Sequence, residues 1–284
     1  MTWRGLVDEA VARLRSRQEA RWIAESASGF DAAGLQLALD EAVDETTAAA
    51  FRGMVERRVA GEPLQYVLGR WSFRTLELAV DRRVLIPRPE TEVQVEVALA
   101  ECDRLGASQV VDLGTGSGAI ALALAVERPK LTVWATDASA EALDVARANL
   151  AAVATQHDDP GLAGRVHFGE GEWFAALPPE RRGQLDVVVS NPPYVAEDEM
   201  AELPPEVHDW EPTLALVAGD DGLRDIRTIL SEAPEWLARP GAVLLEMAPH
   251  QVARAERLAR AAGFTATAIL PDLTGRDRIV RATL

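Results

Sequence analysis

From Gln109 onward the chain repeats one pattern: a short run of β-branched and aliphatic residues, then a longer stretch of helical spacing. The runs are Gln109–Leu113, Leu131–Thr136, Val166–Phe168, Leu185–Ser190, Ala242–Met247, Phe264–Leu270 and Arg278–Ala282. Strands this apolar are buried on both faces, and their alternation with helices builds a mostly parallel sheet between two helical layers. Helices are predicted after Gly118, Ser139, Gly222 and Pro249. Ser139 followed by Glu141, and Glu232-Ala233-Pro234, serve as start signals. In an open sheet of this kind, ligands bind beyond the carboxyl ends of the strands.

The first part of the chain has a different texture. Apolar residues at helical spacing (Leu6, Val7, Ala10, Val11, Leu14; Trp22, Ile23; Leu35, Leu37, Leu39, Val43; Phe51, Met54, Val55, Val59) predict a small helical domain over residues 1–60. Gly61-Glu62-Pro63 breaks that pattern. A strand is expected from Trp71 to Val80 and a second at Val84-Leu85-Ile86, with Asp81-Arg82-Arg83 as a hairpin-like connection. Pro87-Arg88-Pro89 then opens a helix running to about Leu105. The expected organisation is a helical domain (1–60), a linker with a hairpin (61–90) and an α/β domain (91–284).

A chain of 284 residues with 48% hydrophobic content can bury a substantial core. It contains no apolar run of membrane-spanning length, and no signal-peptide core follows Met1. Cys102 is the single cysteine, which excludes an internal disulfide and argues against a cysteine zinc site. The expectation is a cytoplasmic protein with no membrane association. Net charge is −16, of which residues 1–80 contribute only −2 (10 basic, 12 acidic). Tight nucleic-acid binding leaves a basic footprint, so direct nucleic-acid binding is not expected. The four histidines, His157, His167, His208 and His250, read as surface or loop residues, and no metal-ligand cluster is visible.

Two strand ends carry chemistry. After Gln109–Leu113 comes Gly114-Thr115-Gly116-Ser117-Gly118, whose glycines let the backbone turn tightly and approach a ligand. The spacing is not that of the dinucleotide fingerprint, whose third glycine would fall at Ala119. About twenty residues further on, Asp137 ends the next strand, where an acid can accept bonds from two ribose hydroxyls. It could equally cap the following helix, although Ser139 is the better cap. Trp173 could pack on an adenine or simply fill the core, and Asp112 could orient the loop or touch the ligand.

The second strand end is Leu185–Ser190, stopped by Asn191-Pro192-Pro193-Tyr194. Prolines keep a carbonyl acceptor but have no N–H, Asn191 adds a side-chain carbonyl, and Tyr194 offers a flat face. Such a rigid set of acceptors suits a planar NH2 group, an amide or an exocyclic base amine.

Together these features resemble the peptide chain release factor glutamine N5-methyltransferases, the PrmC/HemK family. The glycine loop is similar to motif I of class I methyltransferases. Gly61-Glu62-Pro63-Leu64-Gln65-Tyr66 and Gly69 to Phe73 match the family's interdomain stretch. Ile86-Pro87-Arg88-Pro89-Glu90-Thr91-Glu92 and Asp209-Trp210-Glu211-Pro212, continuing to Leu223, match family-specific motifs. Glu246 to Gln251 and Asp272 to Arg278 fit its C-terminal pattern. Glu172 departs from it, an Asp being common before the Trp. The resemblance implies a class I (Rossmann-like) α/β methyltransferase domain with a mostly parallel seven-stranded sheet, preceded by a small helical domain. It implies S-adenosylmethionine bound by Gly114, Thr115, Gly116, Ser117, Gly118, Asp137, Trp173 and Asn191. The substrate implied is the glutamine of the Gly-Gly-Gln loop of class 1 release factors. Asn191 and Pro192 would accept its amide hydrogens, while Pro193 and Tyr194 shape the pocket. The alternatives are an exocyclic-amine methyltransferase acting on nucleic acid and a donor-binding scaffold without a substrate.

Overall fold

The structure, a computed structural model, describes residues 1–284 and divides into two compact units. The first holds α1 (Trp3–Leu14), α2 (Arg17–Ser28), α3 (Ala32–Ala38), α4 (Glu45–Val59) and α5 (Leu64–Leu68). Thr2, Ser16, Asp31 and Asp44 cap the first four by accepting the N–H three residues ahead, which satisfies donors a helix start leaves orphaned. Trp3, Leu6, Ile23, Leu35, Phe51 and Val55 form the core, Trp3 meeting Phe51 edge-on at 6.1 Å. Leu37, grouped by spacing with the apolar set, is 85% exposed. It sits two residues from buried Leu35, which at about 100° per residue turns it to the opposite side of α3.

The units are Met1–Arg70 with Pro204–Trp210, and Trp71–Leu203 with Glu211–Leu284. The stretch read as one linker, 61–90, is therefore shared: α5 goes with the first unit, and residues 71–90 with the second. The hairpin also differs from expectation. β1 (Arg70–Phe73) pairs with β2 (Leu76–Ala79), so the turn is Arg74-Thr75 and Val84-Leu85-Ile86 forms no strand. Asp81 closes a local turn instead, its carboxylate accepting the Arg83 N–H at 3.0 Å. Arg74 adopts φ +53°, held by its N–H to Glu92 (3.0 Å) and its guanidinium to Glu127 (2.8 Å).

The second unit continues with α6 (Pro89–Leu105), β3 (Gln109–Leu113), α7 (Ala119–Glu127), β4 (Thr132–Asp137), α8 (Ala140–Gln156), β5 (Val166–Glu170) and β6 (Leu185–Ser190). After the short α9 (Pro205–His208) of the first unit come α10 (Arg224–Trp236), β7 (Leu237–Glu246), α11 (Val252–Ala261), β8 (Ala266–Pro271) and β9 (Asp277–Thr283). Glu232-Ala233-Pro234, read as a helix start, lies in the last turns of α10. Pro234 forfeits one helical bond there, and the helix ends two residues later.

Seven strands form one sheet in the order β5-β4-β3-β6-β7-β9-β8, parallel except where β9 runs against β7 and β8. Successive side chains of β3 enter opposite layers. Val110 packs with Leu99, Ile120 and Leu122, while Val111 packs with Ile226, Ile229 and Val252. The chain winds outward from β3 to β5 in one direction and from β6 in the other. The strand order therefore reverses between β3 and β6, which pair directly (Val110↔Val187, Asp112↔Val189). Their carboxyl ends carry Gly114 and Asn191, so the reversal places both motifs at the crevice where such sheets bind ligands.

Candidate functional site

A cavity of about 760 Å³ opens at that crevice, within the usual range for a small-molecule site. Gly114, Gly116, Asp137, Trp173, Asn191 and Pro193 all line it. The glycine loop turns back on β4, the Gly114 and Thr115 N–H groups both donating to the Thr136 carbonyl at 2.8 Å. Gly116, at φ +55°, has nothing within 4 Å of where a Cβ would stand, leaving its backbone open to a ligand. Gly118 serves packing instead: a Cβ there would come within 3.1 Å of Leu122.

Thr115, Ser117 and Gly118 do not line the cavity, although sequence reasoning grouped them with the binding glycines. Thr115 turns inward and donates its hydroxyl to Asp112 at 2.6 Å. The Asp112 carboxylate also accepts the Ala121 N–H (3.1 Å), its second oxygen is buried without a partner, and it is fully shielded from solvent. Burial pushes its pKa up to about 7. Of the two roles open to Asp112, the structure gives it loop support. Asn149 on α8 holds the loop from the other side, donating to Ser117 C=O (2.8 Å) and Ala79 C=O (3.0 Å) and accepting Ala79 N–H (2.7 Å).

Asp137 is placed differently. One carboxylate oxygen accepts the Gly116 N–H and the other the Ser139 N–H, each at 2.9 Å. Ser139 itself caps α8. A carboxylate has about four acceptor sites, so both oxygens keep capacity toward the cavity they line. Burial raises this carboxyl above its ordinary range, and the backbone bonds oppose that rise. Trp173 has φ +47°, rare for a bulky residue, and its ring lies 3.6 Å from where a Cβ on Gly114 would stand. It packs on the core with part of its surface and lines the cavity with the rest. Glu172 is exposed at the same rim.

Asn191 is held by pieces with no local signal. Ser190 donates its hydroxyl to Leu113 C=O (2.6 Å), and Gln94 donates to Ser190 C=O (2.7 Å), pinning the end of β6. Asn191 Nδ2 donates to the Thr91 hydroxyl oxygen at 3.2 Å. Pro192 is buried, Tyr194 half-buried, and neither lines the cavity. Gln251 binds Tyr194 C=O at 2.8 Å, and Gly222 lets it do so, since a Cβ at 222 would stand 2.3 Å from that oxygen. Burial, then the field of Glu246, raises the Tyr194 phenol.

The Ile86–Glu92 run anchors this region. Arg88 Nη2 reaches both carboxylate oxygens of buried Glu211 at 2.7 Å, Glu90 meets Arg276 at 3.2 Å, and Thr91 meets Asn191. Sequence reasoning missed the cavity-lining Arg82, Leu85, Leu214 and Arg224, and the supports Gln94 and Asn149. Asn149 had one usable signal: Asn149 and Asn191 are the only asparagines of the chain. His167, expected on the surface or in a loop, lies in β5 with its ring 4.9 Å from Trp134.

Residues 95–203 match the methyltransferase small domain family model, and residues 6–69 match the PrmC N-terminal domain. The release factor glutamine methyltransferase of Cereibacter sphaeroides is 42% identical over 98% of this chain and 92% of its own length. The chain belongs to the release factor glutamine methyltransferase family. The enzyme of that name from Gloeobacter violaceus is 40% identical over 98% of this chain and 94% of its own. The N-terminal domain of human METTL16 in complex with SAH shares the fold (TM-score 0.52, 17% identity, 80% of this chain and 82% of that one). The methyl donor implied by this family membership, S-adenosylmethionine, fits the residues present. Gly116 leaves backbone space, Asp137 offers acceptors for hydroxyls, and Trp173 offers a flat face.

Proposed function

We propose that this chain methylates the side-chain amide nitrogen of the glutamine in the Gly-Gly-Gln segment of class 1 peptide chain release factors, with S-adenosylmethionine as donor. The observation that carries this reading is the placement of Asn191, an amide acceptor at the end of β6, in the same cavity wall as Gly114, Gly116 and Asp137. Gly114, Gly116, Asp137 and Trp173 would hold the donor. When bound, it supplies an electrophilic methyl group on a sulfonium.

An amide nitrogen is a poor nucleophile because its lone pair is delocalised into the carbonyl. Asn191 Oδ1 would accept one of its two hydrogens, hold the nitrogen in place and favour the charge that builds on it. The resemblance assigns the other to the Pro192 carbonyl, which would have to be uncovered first, since Pro192 is buried and does not line the cavity. Positioning alone contributes on the order of 7–11 kcal/mol in well-oriented reactions. Transfer would form an N–C bond at the expense of the donor's C–S bond, and the displaced N–H proton would pass to water. Neither Asn191 nor a proline carbonyl titrates, so neither acts as a general base at the nitrogen.

A Gly-Gly-Gln segment has little side-chain surface, so discrimination among glutamines must come from contacts remote from the amide. The helical unit would supply them by docking the folded factor. The test incubates the full chain with labelled donor and a purified release factor, a short Gly-Gly-Gln peptide, or RNA. The expected product is a mass increase of one methyl group on the glutamine, with kcat/KM far higher for the folded factor than for the peptide. Label in the RNA alone would refute the protein substrate. Equal kcat/KM for factor and peptide would refute docking.

A further inference from the structure

Behind Asn191, on the side away from the cavity, lies a buried chain of polar groups that the reaction as written does not use. Thr91 on α6 is 4% exposed and Glu246 at the end of β7 is 1% exposed. The Asn191 amide nitrogen donates to Thr91 Oγ1 at 3.2 Å, and the Thr91 hydroxyl interacts with the Glu246 carboxylate so as to favour its charged form. The second oxygen of Glu246 has no partner. We propose that Thr91 and Glu246 are positioning residues that set which end of the Asn191 amide faces the substrate.

The argument is one of donor counting and rests on the proposed role of Asn191 as an acceptor. A threonine hydroxyl has a single hydrogen. With that hydrogen given to the Glu246 carboxylate, Thr91 Oγ1 can only accept, so the group of Asn191 that faces it must be NH2. The carbonyl end then points away from Thr91, toward the cavity that Asn191 lines. A substrate amide brings two N–H donors, and only the carbonyl end can receive one. Without the relay the two ends of Asn191 are nearly the same shape, and the wrong one would oppose donor to donor.

The direction of the relay depends on the charge of Glu246. A protonated Glu246 becomes a donor to Thr91, which frees the Thr91 hydrogen for Asn191 and reverses every bond in the line. Burial raises this carboxyl to about 7, while the Thr91 bond, Arg278 on β9 and Arg88 at the start of α6 act to lower it and Glu90 to raise it. Burial, and then the charge of the same carboxylate, raise the Tyr194 phenol. Reversal is therefore expected as pH falls through neutrality.

The experiment compares Thr91→Val, Thr91→Ser, Glu246→Gln and Asn191→Ala in the full chain. Thr91→Val keeps the shape and removes the hydroxyl. It should lower kcat by about tenfold or more and leave calorimetric affinity for S-adenosylhomocysteine unchanged, and Thr91→Ser should restore kcat. Wild-type kcat should fall below pH 7, and Glu246→Gln should abolish that fall. Because the chain has two asparagines, selective 15N-asparagine labelling gives two side-chain NH2 signals. That of Asn191 should shift with pH near neutrality, with Asn149 as internal control, and stop shifting in Glu246→Gln. A flat wild-type pH profile, or full kcat in Thr91→Val, overturns the relay. If Asn191→Ala abolishes turnover while Thr91→Val does not, only the relay fails; if Asn191→Ala keeps full turnover, the acceptor role of Asn191 itself fails.

Discussion

Asn149→Ala tests how the methyl-donor loop is held. Asn149 is 1% exposed and makes three hydrogen bonds, to Ala79 N–H (2.7 Å), Ala79 C=O (3.0 Å) and Ser117 C=O (2.8 Å). One side chain on α8 thus ties β2 to the glycine loop. Each such bond contributes about 0.5–1.5 kcal/mol net, and a buried acceptor left unpaired costs about 1–3 kcal/mol. Ala79 is exposed, so water can replace its two bonds at little cost, whereas Ser117 is 3% exposed and its carbonyl would lose its Asn149 donor. The expected loss is about 3 kcal/mol. In a domain of this size that lowers Tm by roughly 6–12 °C. Urea unfolding measured with Tm should show a lower midpoint and an unchanged slope. Affinity for S-adenosylhomocysteine should fall with it, because Ser117 sits between the glycines. Asn149→Asp keeps only the bond from Ala79 N–H and sets a carboxylate against two carbonyls, so it should be at least as damaging. A loss below about 1 kcal/mol in Asn149→Ala would refute the claim that this side chain braces the loop.

Asp137→Ala should weaken S-adenosylhomocysteine by at least tens of fold in calorimetry, since charge-assisted bonds are worth about 1.5–3 kcal/mol each; unchanged affinity would remove Asp137 from the donor site. Asp112 gives a pH signature in the donor-free protein. Its folded pKa of about 7 lies above the ordinary unfolded value of about 3.9. Between those values the folded state holds a proton that the unfolded state releases. Stability should therefore fall as pH rises from about 4 to 7, Glu246 adding to the same slope, and Asp112→Asn should reduce that slope in urea titrations run at stepped pH.

The sheet was legible because its strands are written as apolar runs, and seven such runs became seven strands, although the edge strands β5 and β8 are only partly buried. The hairpin was misplaced because its turn, Arg74-Thr75, carries neither glycine nor proline, whereas Asp81-Arg82-Arg83 looks like a turn and serves as one without reversing a strand pair. The grouping of Pro204–Trp210 with the helical unit had no local signature, since membership of a unit is decided by contacts far apart in sequence. The chain therefore passes between units at three places, after Arg70, Leu203 and Trp210.

At the site, the residues at the ends of strands could be read and their supports could not. A strand ending in glycines or in Asn-Pro-Pro announces a change of direction locally, and the sheet's order turns that into a position. Asp112 and Asp137 show the limit: both lie at strand ends, yet Asp112 faces Thr115 and α7 while Asp137 faces the cavity. Only the loop conformation between them decides which. The run Ile86–Glu92 is the extreme case. Arg88 reaches Glu211, Glu90 reaches Arg276, Thr91 reaches Asn191, and Glu92 accepts from Arg74. Four consecutive polar contacts go to four separate parts of the chain, so the run has no meaning by itself. Its constraint is collective: the segment after Trp210, the turn after β8, the end of β6 and the hairpin are all referred to one helix start. A substitution anywhere in it therefore bears on the cavity from a residue that never lines it.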